Sequence, residues 1–300
     1  MIKQHTTAVY PVSPVSKLAD LSRIFVFRKL CLLLLLLSPV SAIADIAVLI
    51  HGYHSNALAW ERSGVVPILE DNGWVRAGLY TATARGVSFY PATASRAINR
   101  TYIIDLPSEA PVRVQSGLLS AALMDIRRRH AGEPITLIGH SAGAIVGRSV
   151  LVQGNIAGIE RLISIAGPNL GTERTVQALN ATDIPWPFSY VADFFAGDSY
   201  DTIKRSRHLL IDLLPASPGT YLGWLNVQPH PDIEYIAIVR GHNLVMSGDW
   251  MVPGMSQDLN NVIALAGRAR VFTVPAEHEL SPLDGAMLAS KLNETDNESE

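Results

Sequence analysis

The stretch that decides the fold is "LIGHSAGAIVG", Leu137 to Gly147. An apolar run stops at Gly139-His140-Ser141-Ala142-Gly143 and resumes at once as a small-residue helical run. A strand that turns directly into a helix needs glycine on both sides of the turn, because a Cβ there would strike neighbouring backbone. Gly139 and Gly143 meet that need as elbow glycines, and Ser141 is left at the apex. The serine admits two readings, a small residue in a crowded turn or a nucleophile. Strand Ile135–Ile138, then the motif, then a helix opening at Ala142 is the context that favours the nucleophile.

Working outward, the chain past residue 45 alternates short apolar runs with longer amphipathic ones. The runs Ile46–Ile50, Val75–Tyr80, Ile135–Ile138, Leu162–Ala166, Ile233–Val239 and Val271–Val274 are bounded by turn residues. Such runs predict strands buried on both faces. Val114, Leu118, Ala122 and Ile126 recur at helical spacing ahead of Arg127–Arg129, whose charge suits a helix C-terminus. The alternation predicts an α/β fold, a mostly parallel central sheet flanked by helices, over a single domain from 45 to 292. One segment, about 180–231, breaks the rhythm with Pro185, Trp186, Phe188, Tyr190, Phe194, Phe195, Tyr200, Tyr221 and Trp224. A long insertion rich in aromatics is expected to be ordered and functional, here as a cap over a site. An ordinary helical excursion with its own small core is the alternative.

Bulk composition narrows the function classes. A net charge of -3 with 17% charged residues leaves no basic footprint, which excludes nucleic acid as a partner. Lys17, Arg23, Arg28 and Lys29 precede the apolar run Leu30–Leu37, followed by small residues that offer cleavage after Ala42 or Ala44. That layout predicts a secretory signal peptide over residues 1–44 and an exported protein, periplasmic or extracellular. The stretch ahead of Lys17 is long for such a signal, which points to a start further in. The rival reading, a membrane anchor, needs roughly 20 apolar residues, and Asp45 ends the run too early. Cys31 is the only cysteine and falls in the signal, so the mature chain is expected to use no disulfide or thiol. Residues 293–300, "NETDNESE", are expected to form a disordered acidic tail.

A serine at neutral pH needs a base, and the base needs a group to orient it. On a sheet of this type the partners follow in the order serine, acid, histidine. Asp249, in the turn after the run ending at Val239, is the best-placed acid; Asp258 falls in the next expected helix and Asp232 precedes the strand. His278 is the only histidine after Asp249, whereas His230 and His242 precede it and break the order. The bland readings are a surface turn aspartate and a solvated histidine between Glu277 and Glu279. His51-Gly52-Tyr53 follows the first strand, where backbone can turn sharply and aim an N–H at the site. The oxyanion donors would be the backbone N–H groups of Tyr53 and Ala142, with His51 a structural residue.

Together these stretches resemble the α/β-hydrolase superfamily, and within it the bacterial lipase and esterase branch. The residues that carry the likeness are "VLIHGY", "LIGHSAGAIVGR", "SIAGPNLGT", "DLLPASPGTYLGWLN", "GDWMVP" and "AEHEL". Within "GPNLGT", Asn169 stands where the family's Pro-His-x-Gly-Thr stretch has histidine, and Asp212–Asn226 looks like a cap-region helix of members that act on lipids. The resemblance implies a Ser141–His278–Asp249 hydrolase with an acyl-enzyme intermediate and no cofactor. Some lipases of this branch carry a structural calcium, but no carboxylate cluster here identifies one, so no metal is expected. The implied partner is a small-molecule acyl ester or lipid, with transient contact with lipid surfaces, and no stable protein partner follows. An acyltransferase, a thioesterase or a peptidase on the same triad, and a non-catalytic binding protein on a hydrolase scaffold, remain open alternatives.

Overall fold

The computed structural model describes residues 44–92, 98–154, 156–182, 200–243 and 247–294. Among them are β1 (Ile46–Ile50), β2 (Trp74–Thr83), β3 (Gly86–Pro91), β4 (Asn99–Asp105), β5 (Ile135–His140), β6 (Ile159–Ile165), β7 (Glu234–Arg240) and β8 (Ala269–Val274). They form one sheet in the order β3-β2-β4-β1-β5-β6-β7-β8. Every neighbouring pair is parallel except β2 and β3, which are antiparallel at the edge. The helices are α1 (Leu58–Arg62), α2 (Val65–Asp71), α3 (Val112–Arg129), α4 (Ala142–Gln153), α5 (Glu173–Thr182), α6 (Tyr200–Arg205), α7 (Arg207–Asp212), α8 (Tyr221–Leu225), α9 (Gly254–Gln257) and α10 (Pro282–Asn293).

Strand β1 shows why the sequence folds this way. Its side chains alternate between the two faces, and all five residues are fully buried. Ile46, Val48 and Ile50 pack with Leu119, Leu123 and Ile126 of α3 and Ile145 of α4. Ala47 and Leu49 pack on the other side with Val65 and Leu69 of α2 and Leu288 of α10. Each buried Leu or Ile side chain contributes roughly 1.5–3 kcal/mol, so a strand without a polar residue fits only between two helical layers.

All six expected strands are present, with ends shifted by a few residues. Two strands were not foreseen. β4 opens on Asn99-Arg100-Thr101 and has only a short apolar centre, yet it pairs directly with β1. β3 is an exposed edge strand ending in Pro91, where a missing N–H costs no ladder bond. The stripe of α3 also differs: Val114 is 49% exposed, and the inner face is Val112, Leu119, Ala122, Leu123 and Ile126.

The expected signal peptide lies outside the described residues, apart from Ala44, as do residues 183–199 of the expected cap with Trp186, Phe188, Tyr190, Phe194 and Phe195. What is described of that segment is tied to the domain: the Asp212 carboxylate accepts the Val112 N–H at 2.8 Å, at the N-terminus of α3. Tyr221 and Trp224 lie against the Arg113 guanidinium. Asn293 and Glu294, expected to belong to a disordered tail, are held in the fold, and residues 295–300 lie outside the described residues. Asn293 closes α10 and accepts the indole N–H of buried Trp74 at 2.9 Å, and Glu294 pairs with Arg270 at 2.8 Å. A buried indole needs an acceptor, and that need draws Asn293 into the fold.

Candidate active site

The elbow is built by close approach of backbone. A Cβ at Gly139 would sit 2.5 Å from the Cα of Ala144, and one at Gly143 would sit 2.5 Å from the carbonyl oxygens of Ile50 and His51. Neither contact is possible, so β5, α4 and the end of β1 converge only because both residues are glycine. Between them Ser141 adopts φ 52°, ψ −126°, a conformation that L residues seldom hold. Its N–H donates to the Ile165 carbonyl at 2.8 Å, which pins the turn to the end of β6. A single residue thus separates strand from helix.

Three loops past the carboxyl ends of parallel strands meet at this turn. The Ser141 hydroxyl lies 2.9 Å from His278 Nε2, and His278 Nδ1 lies 2.9 Å from Asp249 Oδ2. Since the carboxylate only accepts, Nδ1 carries the proton and Nε2 is left to accept from the serine. Asp249 Oδ1 accepts the backbone N–H groups of Met251 and Val252, each at 2.7 Å. Burial alone would raise the Asp249 pKa, but the hydrogen bond and charge of His278 and these two N–H groups outweigh it and leave it lowered. The acid is therefore held as a carboxylate. Gly52 runs against Ser141, since a Cβ there would be 2.8 Å from Ser141 Cβ, and this brings Tyr53 beside the serine.

Ser141 and His278, each only 8% exposed, open onto a cavity of about 500 Å³. Leu210 and Leu213 at the end of α7, with Met251, Val252 and Leu280, give it an apolar wall. Tyr53, His54, Arg62 and Ser63 lie on the side nearer β1. Among the described residues no group of three or more His, Cys, Asp or Glu side chains is arranged to hold a metal ion.

No protein-family model matches the chain, and no curated protein is significantly similar to it. Solved structures are similar in fold. A gene product of Listeria innocua superposes with a TM-score of 0.56 at 17% identity, over 84% of this chain and 96% of its own. The mature form of a Bacillus licheniformis lipase gives 0.53 at 17% identity, over 84% and 91%. A metagenomic carboxyl esterase gives 0.50 at 13% identity, over 84% and 76%. The chain has the α/β-hydrolase fold.

In this fold the other candidate residues have structural work. His51 is fully built in: its Nε2 accepts the Leu106 N–H at 3.0 Å and its Nδ1 donates to the Gly52 carbonyl at 3.0 Å. Asp258 accepts the Asn260 N–H at a short 3-10 turn, Asp232 is paired with Arg268, and His242 is exposed. His230 contacts Arg148 at 3.3 Å, and burial, then the Arg148 charge, lowers its pKa to about 4. Asn169, standing where the family has histidine, is buried and accepts from the same Arg148 at 3.2 Å.

Sequence reasoning missed the residues that hold the histidine and acid in place. His140, inside the motif itself, donates from Nε2 to the His278 carbonyl at 2.8 Å. Burial, reinforced by the His278 charge, lowers its pKa to about 3, so it is a neutral donor. The next carbonyl, of Glu279, accepts from Arg240, whose guanidinium is locked to Asp284 at 2.5 and 3.1 Å with both side chains fully buried. Gln257 donates to Asp249 Oδ2 at 3.0 Å. Of these, only His140 sits where a sequence signal drew attention.

Proposed function

We propose that the chain is a serine hydrolase that cleaves carboxylic esters of apolar acyl chains through an acyl-enzyme intermediate. The observation that carries this reading is the relay Ser141 Oγ to His278 Nε2, and His278 Nδ1 to Asp249, each step 2.9 Å, opening onto a cavity. The Ser141 oxygen attacks the ester carbonyl as its proton passes to His278 Nε2. The backbone N–H groups of Tyr53 and Ala142 receive the oxyanion, each donor worth about a hundredfold or more in rate. The tetrahedral species collapses, and His278 returns the proton to the departing alkoxide, which leaves as an alcohol. Water then attacks the acyl-Ser141 carbonyl, giving its proton to His278, and collapse of that second tetrahedral species releases the acid as His278 returns the proton to Ser141 Oγ. Asp249 fixes the imidazole tautomer throughout and stabilises the imidazolium.

Substrate class follows from the cavity wall. Leu210, Leu213, Met251, Val252 and Leu280 favour an acyl chain over a polar one, and the names of two structural neighbours, lipase and carboxyl esterase, agree with an ester. Leu210 and Leu213 belong to the 180–231 segment, which supports its reading as a cap. Export through the segment ahead of residue 45 belongs to the same proposal, as it would bring the enzyme to lipid esters outside the cytoplasm.

The test is turnover of p-nitrophenyl esters from acetate to palmitate by the purified protein and its Ser141→Ala variant. Serine-dependent hydrolysis that rises with chain length is expected, with the variant down about 10⁴-fold or more. The Ser141 hydroxyl is buried and bonded, so its loss should cost about 1 kcal/mol of stability and leave the protein folded. Folded wild type without activity on any ester would overturn the reading.

A further inference from the structure

The acid of the relay sits on a loop, and something must fix that loop to the sheet. Oδ1 of Asp249 is taken up by the N–H groups of Met251 and Val252, residues of its own turn. Those bonds shape the turn but do not tie it to β7. The backbone is joined to β7 through Gly248, whose N–H donates to the Arg240 carbonyl at 2.7 Å, and the side chain that joins the carboxylate itself to the strand end is one carboxamide. Gln257, fully buried in α9, donates from Nε2 to Asp249 Oδ2 at 3.0 Å and to the Val252 carbonyl at 2.8 Å. Its Oε1 accepts the N–H of Arg240, the last residue of β7, at 2.8 Å. Its own carbonyl accepts from Asn169 Nδ2 at 3.2 Å, which ties it also to the segment after β6.

We infer that Gln257 is the positioning residue for Asp249, setting both where its carboxylate stands and how strongly it draws on His278. The inference rests on the serine-hydrolase reading above. Three features carry it. One planar group spans the carboxylate, the turn that bears it and the end of the strand it leaves, so it defines their mutual geometry. Its donor goes to Oδ2, the same oxygen that receives His278 Nδ1–H, so it shares the charge the imidazole feels. It does not line the cavity, so it acts only through Asp249. The charged and titratable groups around this carboxylate are His278 past β8, His140 at the end of β5, and the Arg240–Asp284 pair of β7 and α10. Arg240 is neutralised by Asp284, and the amide of Gln257 is the side-chain group bonded to both the Asp249 carboxylate and the strand end.

The experiment compares wild type with Gln257→Met and Gln257→Glu, reading kcat and KM on p-nitrophenyl butyrate from about pH 5 to 9. Methionine keeps the length and removes every hydrogen bond. Glutamate keeps the shape and the acceptor for Arg240 N–H but sets a second carboxyl against Asp249. In both, kcat is expected to fall about a hundredfold, the effect of a displacement near 1 Å in a catalytic group. KM should stay within about twofold, since no substrate contact is lost. The acid limb of kcat/KM should move to higher pH, by about one unit in Gln257→Met, because loss of the Nε2 donor leaves the full Oδ2 charge to stabilise the His278 imidazolium. A purely structural glutamine would lower the folded fraction and leave the limb where it was. An unmoved limb, or wild-type kcat in both variants, overturns the proposal. Should either variant melt below the assay temperature, Gln257→Asn reads the same limb with an amide drawn back by one methylene. Wild type inactive on every ester defeats the hydrolase reading itself, whereas active wild type with indifferent variants defeats only the role of Gln257.

Discussion

Ser141 and the Asp249–His278 pair reach the same cavity by opposite means. Ser141 is held by neighbours in the chain and by backbone packed so closely that a Cβ at Gly139 would be 2.5 Å from Ala144. Asp249 and His278 stand on loops past β7 and β8 and are held by side chains from afar: Gln257, His140, and the Arg240–Asp284 pair. The elbow is rigid because it has no room to move. The loops are held because the His278 and Glu279 carbonyls and the Asp249 carboxylate are hydrogen-bonded to buried side chains. The first device is steric and local, the second polar and long-range, so they should fail differently under mutation.

The largest effect is expected on the polar side. Asp249→Asn keeps the size of the side chain but turns a donor toward His278 Nδ1, favouring the wrong tautomer, and kcat should fall about 10⁴-fold. The Asp249 pKa is lowered in the fold, so its ionisation stabilises the protein above the ordinary carboxylate value of 3.8 and that contribution is lost as pH falls below it. Near-neutral melting of the variant beside wild type, with kcat from the same preparation, checks that the loss is catalytic. A loss below about tenfold would mean the acid is not what orients His278.

Gly139→Ala tests the steric side. The added methyl cannot be accommodated without moving α4 from β5, which should cost roughly 1–3 kcal/mol. It should also cost about a hundredfold in kcat through displacement of Ser141. Unlike Asp249→Asn, it should lower the melting temperature and the activity together. Unchanged melting would show that the elbow is softer than its contacts imply.

The smallest effect separates holding from chemistry. His140→Gln retains a donor for the His278 carbonyl, so kcat should fall only about fivefold, the worth of one modest hydrogen bond. Its signature is in stability against pH. In the fold His140 titrates at about 3 against an ordinary 6.5, so below 6.5 the unfolded chain binds a proton that the native state refuses. Stability contributed in this way is complete above 6.5 and falls as pH drops toward 3, by up to about 1.4 kcal/mol per pH unit. The variant should show a shallower decline in denaturant titrations across that range, with the His230 contribution, ending near 4, still present. Parallel declines would mean that His140 is not kept neutral by burial.

These two devices also explain what could be read from the chain. β1, with five buried apolar residues, and β5, with Ile135, Leu137 and Ile138 buried ahead of the elbow, were legible because burial on both faces favours near-continuous apolar runs. The elbow was legible because its constraint lies within five consecutive residues. β4 was not, since Asn99, Arg100 and Thr101 give it a polar start and its place beside β1 depends on register alone. Gln257 was invisible because an amide carries no pattern until its three partners are known.

By itself the sequence determined the layered α/β architecture, the strand–serine–helix junction, and an order of serine, acid and histidine that left one histidine to choose. Those follow from short-range rules of burial, glycine sterics and chain order. Only the tertiary structure decided that His140 grips the loop of His278, that Gln257 joins Asp249 to β7, and that Asn293 belongs to the last helix. Such choices rest on hydrogen bonds between residues of different elements, from eight to 219 positions apart. Their value comes from burial, which forbids water as a substitute partner, and burial exists only once the sheet has closed.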